Sequence, residues 1–308
     1  MIEVVRAPAY ATVQDAGREG FRSSGVPRGG AMDLLSLFAG NLLLGNAPGA
    51  AAIECALTGG SVRFRDDAGI ILTGARADAR LGGSPAPHGR VLQARAGDVL
   101  TVDSITAGRF LYLCIRGGLE VPVVLGGRGT YLPAAFGGFE GRRLASGDVL
   151  RPGPIISAEP TAREVPHELR TIEMSDPLGL VRGPQADALP QKQWHALIAE
   201  GIVVSPHSDR TGYRLAGLAA AHVSTVSGRS EPSCSGAVQL TPAGELIVLM
   251  ADGPTVGGYP KIGIVAAAHL PRLAQAAVGE RLRFRIIDPT EAVSLLAAQR
   301  SGLRSLVA

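Results

Sequence analysis

Residues Gly279–Ile287 read GERLRFRII. Leu282, Phe284 and Ile286 alternate with Arg281, Arg283 and Arg285, the two-residue period of a strand with one face buried and one face wet. The Gly-Glu pair in front of it marks a turn. The related phrase GDVL occurs twice earlier, at Gly97–Leu100 and Gly147–Leu150. An acidic turn feeding an apolar strand is thus used three times, as expected of hairpins that close a barrel.

Outward from these turns, short β-rich segments recur between turn signals: Ser61–Arg65, Gly69–Thr73, Val99–Val102, Phe110–Ile115, Gly201–Val204 and Glu245–Met250. Their spacing of about 8–12 residues is that of sandwiches and barrels. Helical stretches are few. Asp33–Leu44 has an acidic N-cap and Gly45 just past its end. Gln191–Glu200, Leu270–Gln275 and Thr290–Gln299 are the others. The polar, Pro-punctuated segment Ser157–Glu168 reads as a linker. The expected fold is mainly β, with two β-rich lobes over 1–160 and 165–308 and a few short helices.

Composition narrows the function. The 308 residues include 41 Gly and 21 Pro, a turn-rich content below the threshold of disorder. Of 30 basic residues 28 are Arg, and only Lys192 and Lys261 are Lys. The net charge of +3 is spread along the chain and aromatics are 4%, which argues against a nucleic-acid partner. No apolar run reaches the ~18 residues of a membrane span. Cys55, Cys114 and Cys234 form no CxxC pair, and Cys55 and Cys114 sit in apolar contexts. Together with the absence of a signal peptide at Met1–Arg6, this suggests a reducing, cytoplasmic setting.

Several motifs are missing. The chain has no GxxxxGK[ST] phosphate cradle, no HExxH, no metal-ligand spacing among its six histidines and no GxSxG elbow. Neither a metal site nor a biotin attachment site is expected. The chemistry-bearing stretches are instead Gly/Asp/Arg clusters. Val13–Asp33 holds five glycines, three arginines and two aspartates. It reads either as an anion-binding loop using Asp15 and Arg18, or as a surface loop stabilised by Asp15–Arg18 pairing. Arg116–Gly141 has eight glycines in 26 residues. Arg128 and Tyr131 are its ligand-directed candidates, and barrel turns are the local alternative.

Ser205–Leu215 offers Asp209 and Arg210 as binding candidates. Its local alternative is a turn capped by Asp209 with Arg210 exposed. Ala251–Lys261 (ADGPTVGGYPK) follows an apolar strand. Where positive charge suffices this chain uses Arg, so Lys261 suggests a role needing a point charge or a proton that can be transferred.

These stretches occur together and in order: VQDAGREGF, GVPRGGAMD, GNLLLGN, RGGLEVPVVLGGRGTYL, FGGFEGR, SDRTGYRL and VLMADGPTVGGYPKIG. The chain thereby resembles the biotin-dependent carboxyltransferase family, also called allophanate hydrolase subunit 2, and within it the branch of the 5-oxoprolinase C subunit. The resemblance runs from about Val13 to Phe284. It implies cyclophilin-like β-barrel lobes and work with the B subunit and the A subunit of 5-oxoprolinase. The implied reaction is the ATP-driven opening of 5-oxo-L-proline to L-glutamate, with the chain inactive without its partners. ATP would be used by the complex, and no cofactor is bound covalently. Related enzymes use carboxybiotin. The chain departs from the family pattern at Arg28-Gly29-Gly30, at Gly127 and Gly129, and at Asp252–Val256, losing hydroxyls or other polar groups in each loop.

A site acting on a small amide needs donors for the charge that develops on its oxygen and a group to handle its N–H proton. Gly257 and Gly258, with Arg128, could supply the first; Tyr259, Lys261 or Asp252 could supply the second. Those loops belong to both lobes, so their convergence is itself an expectation. Two other readings stand beside this one. The chain could serve a carboxyltransferase or an allophanate- or urea-type amide hydrolase. It could also be a non-catalytic antagonist that binds a kinase-inhibitor-like homologue of the B subunit.

Overall fold

The computed structural model describes residues 1–56, 58–158, 160–175, 177–217 and 229–307. The chain divides into two compact units. The first comprises residues 1–19, 29–174 and 300–308; the second comprises residues 20–28 and 175–299. The segment expected as a linker, 157–168, lies in the first unit. Val165 and, just beyond it, Leu169 and Thr171 are buried, so three well-placed side chains fasten a stretch whose composition is that of a loop.

The first unit is built on a ten-stranded sheet. Its central path runs Tyr10–Gln14, Ala52–Ala56, Val99–Ile115, Ser61–Phe64, Ile2–Arg6, Val149–Pro152 and Leu119–Glu120. Strand Ala68–Leu81 pairs antiparallel along most of Val99–Ile115, with register shifts near Gly74 and Asp78. Such bulges bend and twist a strand pair. They let one continuous strand of 17 residues serve where the sequence pattern marks two separate strands, Val99–Val102 and Phe110–Ile115. Ile2, Val4, Val13, Ile53, Phe64 and Leu100 belong to the core that this curvature encloses. Helix Leu34–Leu43 begins as expected. Asp33 accepts the Ser36 N–H at 2.9 Å, satisfying one of the free donors of the first turn.

The second unit holds an eight-stranded sheet in the order Arg281–Leu282, Ile202–Val204, Gly212–Ala216, Leu246–Leu249, Ala237–Leu240, Lys261–Val265, Leu178–Arg182 and Phe284–Ile286. Its two edges come from one stretch of chain. The alternating segment Arg281–Ile287 is expected as a single strand but breaks at Arg283. Its first half pairs with Ile202–Val203 and its second half runs parallel to Leu178–Leu180. Leu282 and Phe284 are buried as the alternation predicts, but beyond the break Ile286 is 39% exposed and Ile287 takes the buried place, because the second half has changed its strand partner. The break thus draws the sheet's opposite edges together, and the barrel closes as far as one residue allows. A separate ribbon pairs Glu231–Pro232 with Val256–Gly257.

The three acidic turns share one geometry. In each, the acid's N–H donates to the carbonyl three residues back and its carboxylate accepts that residue's N–H. The pairs are Asp98 with Arg95, Asp148 with Ala145 and Glu280 with Ala277, all between 2.8 and 3.1 Å. The glycine before each acid has φ of 93°, 94° and 85°, a region open to glycine without steric cost. Each turn then exchanges two backbone hydrogen bonds with a single strand residue, Phe64, Val4 and Val204 respectively. Among the described residues no helix is long and apolar enough to cross a membrane.

Candidate functional site

In the first unit, strand Tyr10–Gln14 delivers Asp15 to a turn. Its Oδ1 accepts the Gly17 N–H at 2.8 Å and its Oδ2 accepts the Arg128 N–H at 2.5 Å. One carboxylate therefore fastens two loops far apart in sequence. Close packing at Gly129 completes the junction, since a Cβ there would lie 2.8 Å from both Asp15 Oδ1 and Gln14 Oε1. Asp15 and the half-buried Arg128 line a surface cavity of about 280 Å³. Asn46 and the backbone of Gly117 and Gly118 line it as well. Asn46 is fixed at both ends, accepting from the Gly117 N–H at 2.7 Å and donating to the Ile115 carbonyl at 2.8 Å.

Arg18 is 1% exposed. It donates through Nη2 to the Gly129 carbonyl at 2.5 Å, and its guanidinium lies 4.9 Å from the Phe136 ring centroid. Phe136 in turn packs against Tyr131, ring centroids 5.5 Å apart. The stretch read as a surface loop is thus partly buried, and Arg18 holds the Gly127–Gly129 segment from beneath.

In the second unit, Asp209 caps its turn as expected, accepting the Thr211 and Gly212 N–H groups at 2.8 and 3.2 Å. Arg210 corrects the expectation of an exposed side chain. It is buried against Asp252, with Nε–Oδ2 at 2.8 Å and Nη2–Oδ1 at 3.0 Å. This bidentate fork uses both carboxylate oxygens of Asp252. The loop after strand Leu246–Leu249 is strapped to it further by the Asp252 N–H on the Arg210 carbonyl.

Lys261 opens its strand beside the ribbon. Its Nζ donates to Glu231 Oε2 at 2.6 Å and to the Pro232 carbonyl at 3.2 Å. The Lys261 bond to its carboxylate, with one from Gln185, holds the Glu231 carboxyl below its ordinary range. Gly257 lies across the ribbon from Glu231, and a Cβ on it would stand 2.6 Å from Gln239 Nε2. Only glycine lets the two approach so closely. Tyr259 is 45% exposed on the same loop. No cluster of His, Cys, Asp or Glu able to hold a metal occurs among the described residues.

The family described as carboxyltransferase domain, subdomain A and B, matches residues 24–286. The chain belongs to that carboxyltransferase-domain family. It is 36% identical to the C subunit of 5-oxoprolinase from Haemophilus influenzae over 301 residues, covering 96% of this chain and 94% of that one. The Escherichia coli 5-oxoprolinase C subunit is 35% identical, over 92% of this chain and 90% of its own length. The crystal structure of the K. lactis urea amidolyase superposes with a TM-score of 0.90 at 26% identity, over 99% of this chain. The chain spans about a fifth of that longer protein, 20%. These relatives are by name enzymes or parts of enzymes, and the two cyclophilin-like barrel lobes agree with them.

Within this carboxyltransferase-domain chain, the residues singled out from sequence fall into groups. Asp15 and Arg128 meet at one cavity; Arg18 and Tyr131 meet at Phe136. Asp209, Arg210 and Asp252 make one loop junction. Lys261, Gly257, Gly258 and Tyr259 flank the ribbon. Sequence reasoning missed Glu231, Gln185 and Gln239. For Gln239 a signal existed: it is the single polar residue in the wholly buried strand Ala237–Leu240, and a buried amide needs partners.

Proposed function

We propose that this chain is the C subunit of an ATP-dependent 5-oxoprolinase, acting with the B and A subunits on the lactam of 5-oxo-L-proline. Coverage supports this above all. The chain aligns end to end with two proteins named as 5-oxoprolinase C subunits, at 94% and 90% of their lengths. Opening a lactam adds water across its C–N bond. The water oxygen goes to the carbonyl carbon, and the ring nitrogen leaves with a proton. Negative charge builds on the carbonyl oxygen meanwhile, and a fixed cation lowers that barrier most.

Lys261 suits the cation's part, because Glu231 and the Pro232 carbonyl aim its ammonium while using two of its three donors. We assign the supporting donors to the loop amides at Gly257 and Gly258, and proton exchange at nitrogen to the exposed Tyr259. Asp252, with both oxygens on Arg210, holds the loop. In the first unit, Arg128 offers a guanidinium for a carboxylate or phosphate group and Asp15 fixes its backbone.

Reconstitution of this chain with its A and B partners tests the assignment by ATP-dependent glutamate formation. Lys261→Ala should lower kcat by about 10²-fold or more, the usual cost of one lost oxyanion donor. Lys261→Arg retaining full rate would remove the point-charge role. A stable complex without turnover would overturn the reaction. A second reading, transfer of a carboxyl group from carboxybiotin to urea, is favoured by the superposition on urea amidolyase. It predicts urea-dependent turnover in place of glutamate.

A further inference from the structure

The ribbon Glu231–Pro232 with Val256–Gly257 is two residues wide, and Glu231, Pro232 and Val256 are exposed. Beneath it lie polar groups that proteins rarely bury without partners. Gln239 is 4% exposed, yet its Nε2 has no hydrogen-bond partner among the described residues. Ser233, one residue past the ribbon and 7% exposed, has an Oγ in the same condition. Each unpaired buried donor opposes folding unless something else uses it.

Register ties Gln239 to the ribbon and to Lys261 at once. Gln239 is the Cα partner of Lys261 across the sheet, its Nε2 abuts Gly257, Gly257 pairs with Glu231, and Glu231 binds Lys261 Nζ. The circuit closes on itself. Lys261 contributes a third N–H, Gln239 contributes two, and all of these are donors. The complement is an acceptor oxygen. The Glu231–Lys261 contact, one of those that hold the ribbon down, opens to water on the Glu231 side, where 47% of the side chain is exposed against 15% of Lys261, and ion pairs reached by water contribute little.

We propose that Gln239 and Lys261 form a binding site for the oxygen of a carbonyl or carboxylate group beneath this ribbon, which lifts on its Glu231–Lys261 contact to admit the ligand. The site deepens the amide-handling role given to Lys261 and rests on it for the substrate class. Gly257 is needed because any side chain there would keep Gln239 from reaching the space under the ribbon.

Titration of the full chain with 5-oxo-L-proline and, separately, with urea tests the site, in the wild type and in Gln239→Leu and Gln239→Glu. Removing the amide donors should weaken binding about tenfold, the worth of one good buried hydrogen bond. The Glu variant keeps the polarity and size of the side chain if the Leu variant misfolds. Gln239-dependent binding of 5-oxo-L-proline supports both the site and the 5-oxoprolinase assignment. Gln239-dependent binding of urea alone keeps the site and overturns that substrate. Binding of neither probe, or binding indifferent to Gln239, overturns the site. Independently of any ligand, Glu231→Gln should speed amide exchange at Ser233, whose N–H is bonded to the Thr255 carbonyl at 2.9 Å. Unchanged exchange would overturn the lifting ribbon.

Discussion

Each unit buries an arginine in a loop that the sequence singles out, and the two are held by different chemistry. Arg18 donates to the Gly129 carbonyl and lies over the Phe136 ring. Arg210 faces the Asp252 carboxylate through two parallel hydrogen bonds. In sequence both loops offer an arginine beside an aspartate as binding candidates, within a Gly/Asp/Arg cluster that has five glycines in Val13–Asp33 and one in Ser205–Leu215. The difference shows that such clustering is not enough to mark a binding residue. In both loops the arginine named first from sequence shapes the loop, and the other cation singled out in each unit stands elsewhere: Arg128 at the cavity in the first, Lys261 beside the ribbon in the second.

The comparison makes unequal demands on stability. Asp252→Asn leaves a buried guanidinium without its countercharge, which should cost about 3–5 kcal/mol. Urea unfolding reads the loss directly, and the double change Arg210→Met with Asp252→Leu should recover much of it. Arg18→Met removes a hydrogen bond to a neutral carbonyl and a ring contact, while keeping an apolar stem on Phe136. It should cost about 2 kcal/mol. A larger loss from Arg18→Met than from Asp252→Asn would break the distinction between the two loops.

Period and turn chemistry carried most of the fold. The alternation over Arg281–Phe284 and the three acidic turns were visible because strands and tight turns are local. What local pattern does not carry is where a strand is interrupted. The break at Arg283 is set by the need of Leu282 and Phe284 to reach opposite edges of one sheet. The continuity of Val99–Ile115 is set by a partner strand that bulges with it. The site was legible for the same reason and to the same limit. Lys261 stood out by rarity and Asp209 by turn chemistry. The partners that fix their roles, Glu231, Gln185 and Gln239, are brought in by sheet register, across 30, 76 and 22 residues of chain respectively for Lys261. The burial of Arg210 is not readable from its own loop, because it depends on Asp252, 42 residues further on.

Where the two units use the same device, the comparison can be sharpened to a single ionisable group. Asp148 and Glu280 cap matching turns, one in each unit, and each also receives an arginine: Arg142 on Asp148 and Arg272 on Glu280. Asp148 is held below its ordinary value of 3.8, first by the Arg142 hydrogen bonds and then by the Ala145 N–H, against the opposing effect of partial burial. A carboxyl depressed in this way stabilises the fold above its unfolded pKa, and the contribution is lost as pH falls through the folded value. Asp148→Asn keeps an oxygen for the Ala145 N–H and removes the charge. Its deficit against the wild type should therefore be full near pH 6 and shrink as the pH falls below 3.8, towards about pH 2. Arg142 is 41% exposed, so solvent screening should keep that deficit under about 1 kcal/mol. Unfolding free energies at the two pH values check this. A deficit equal at both would assign the turn's stability to its backbone geometry, with the charge contributing nothing.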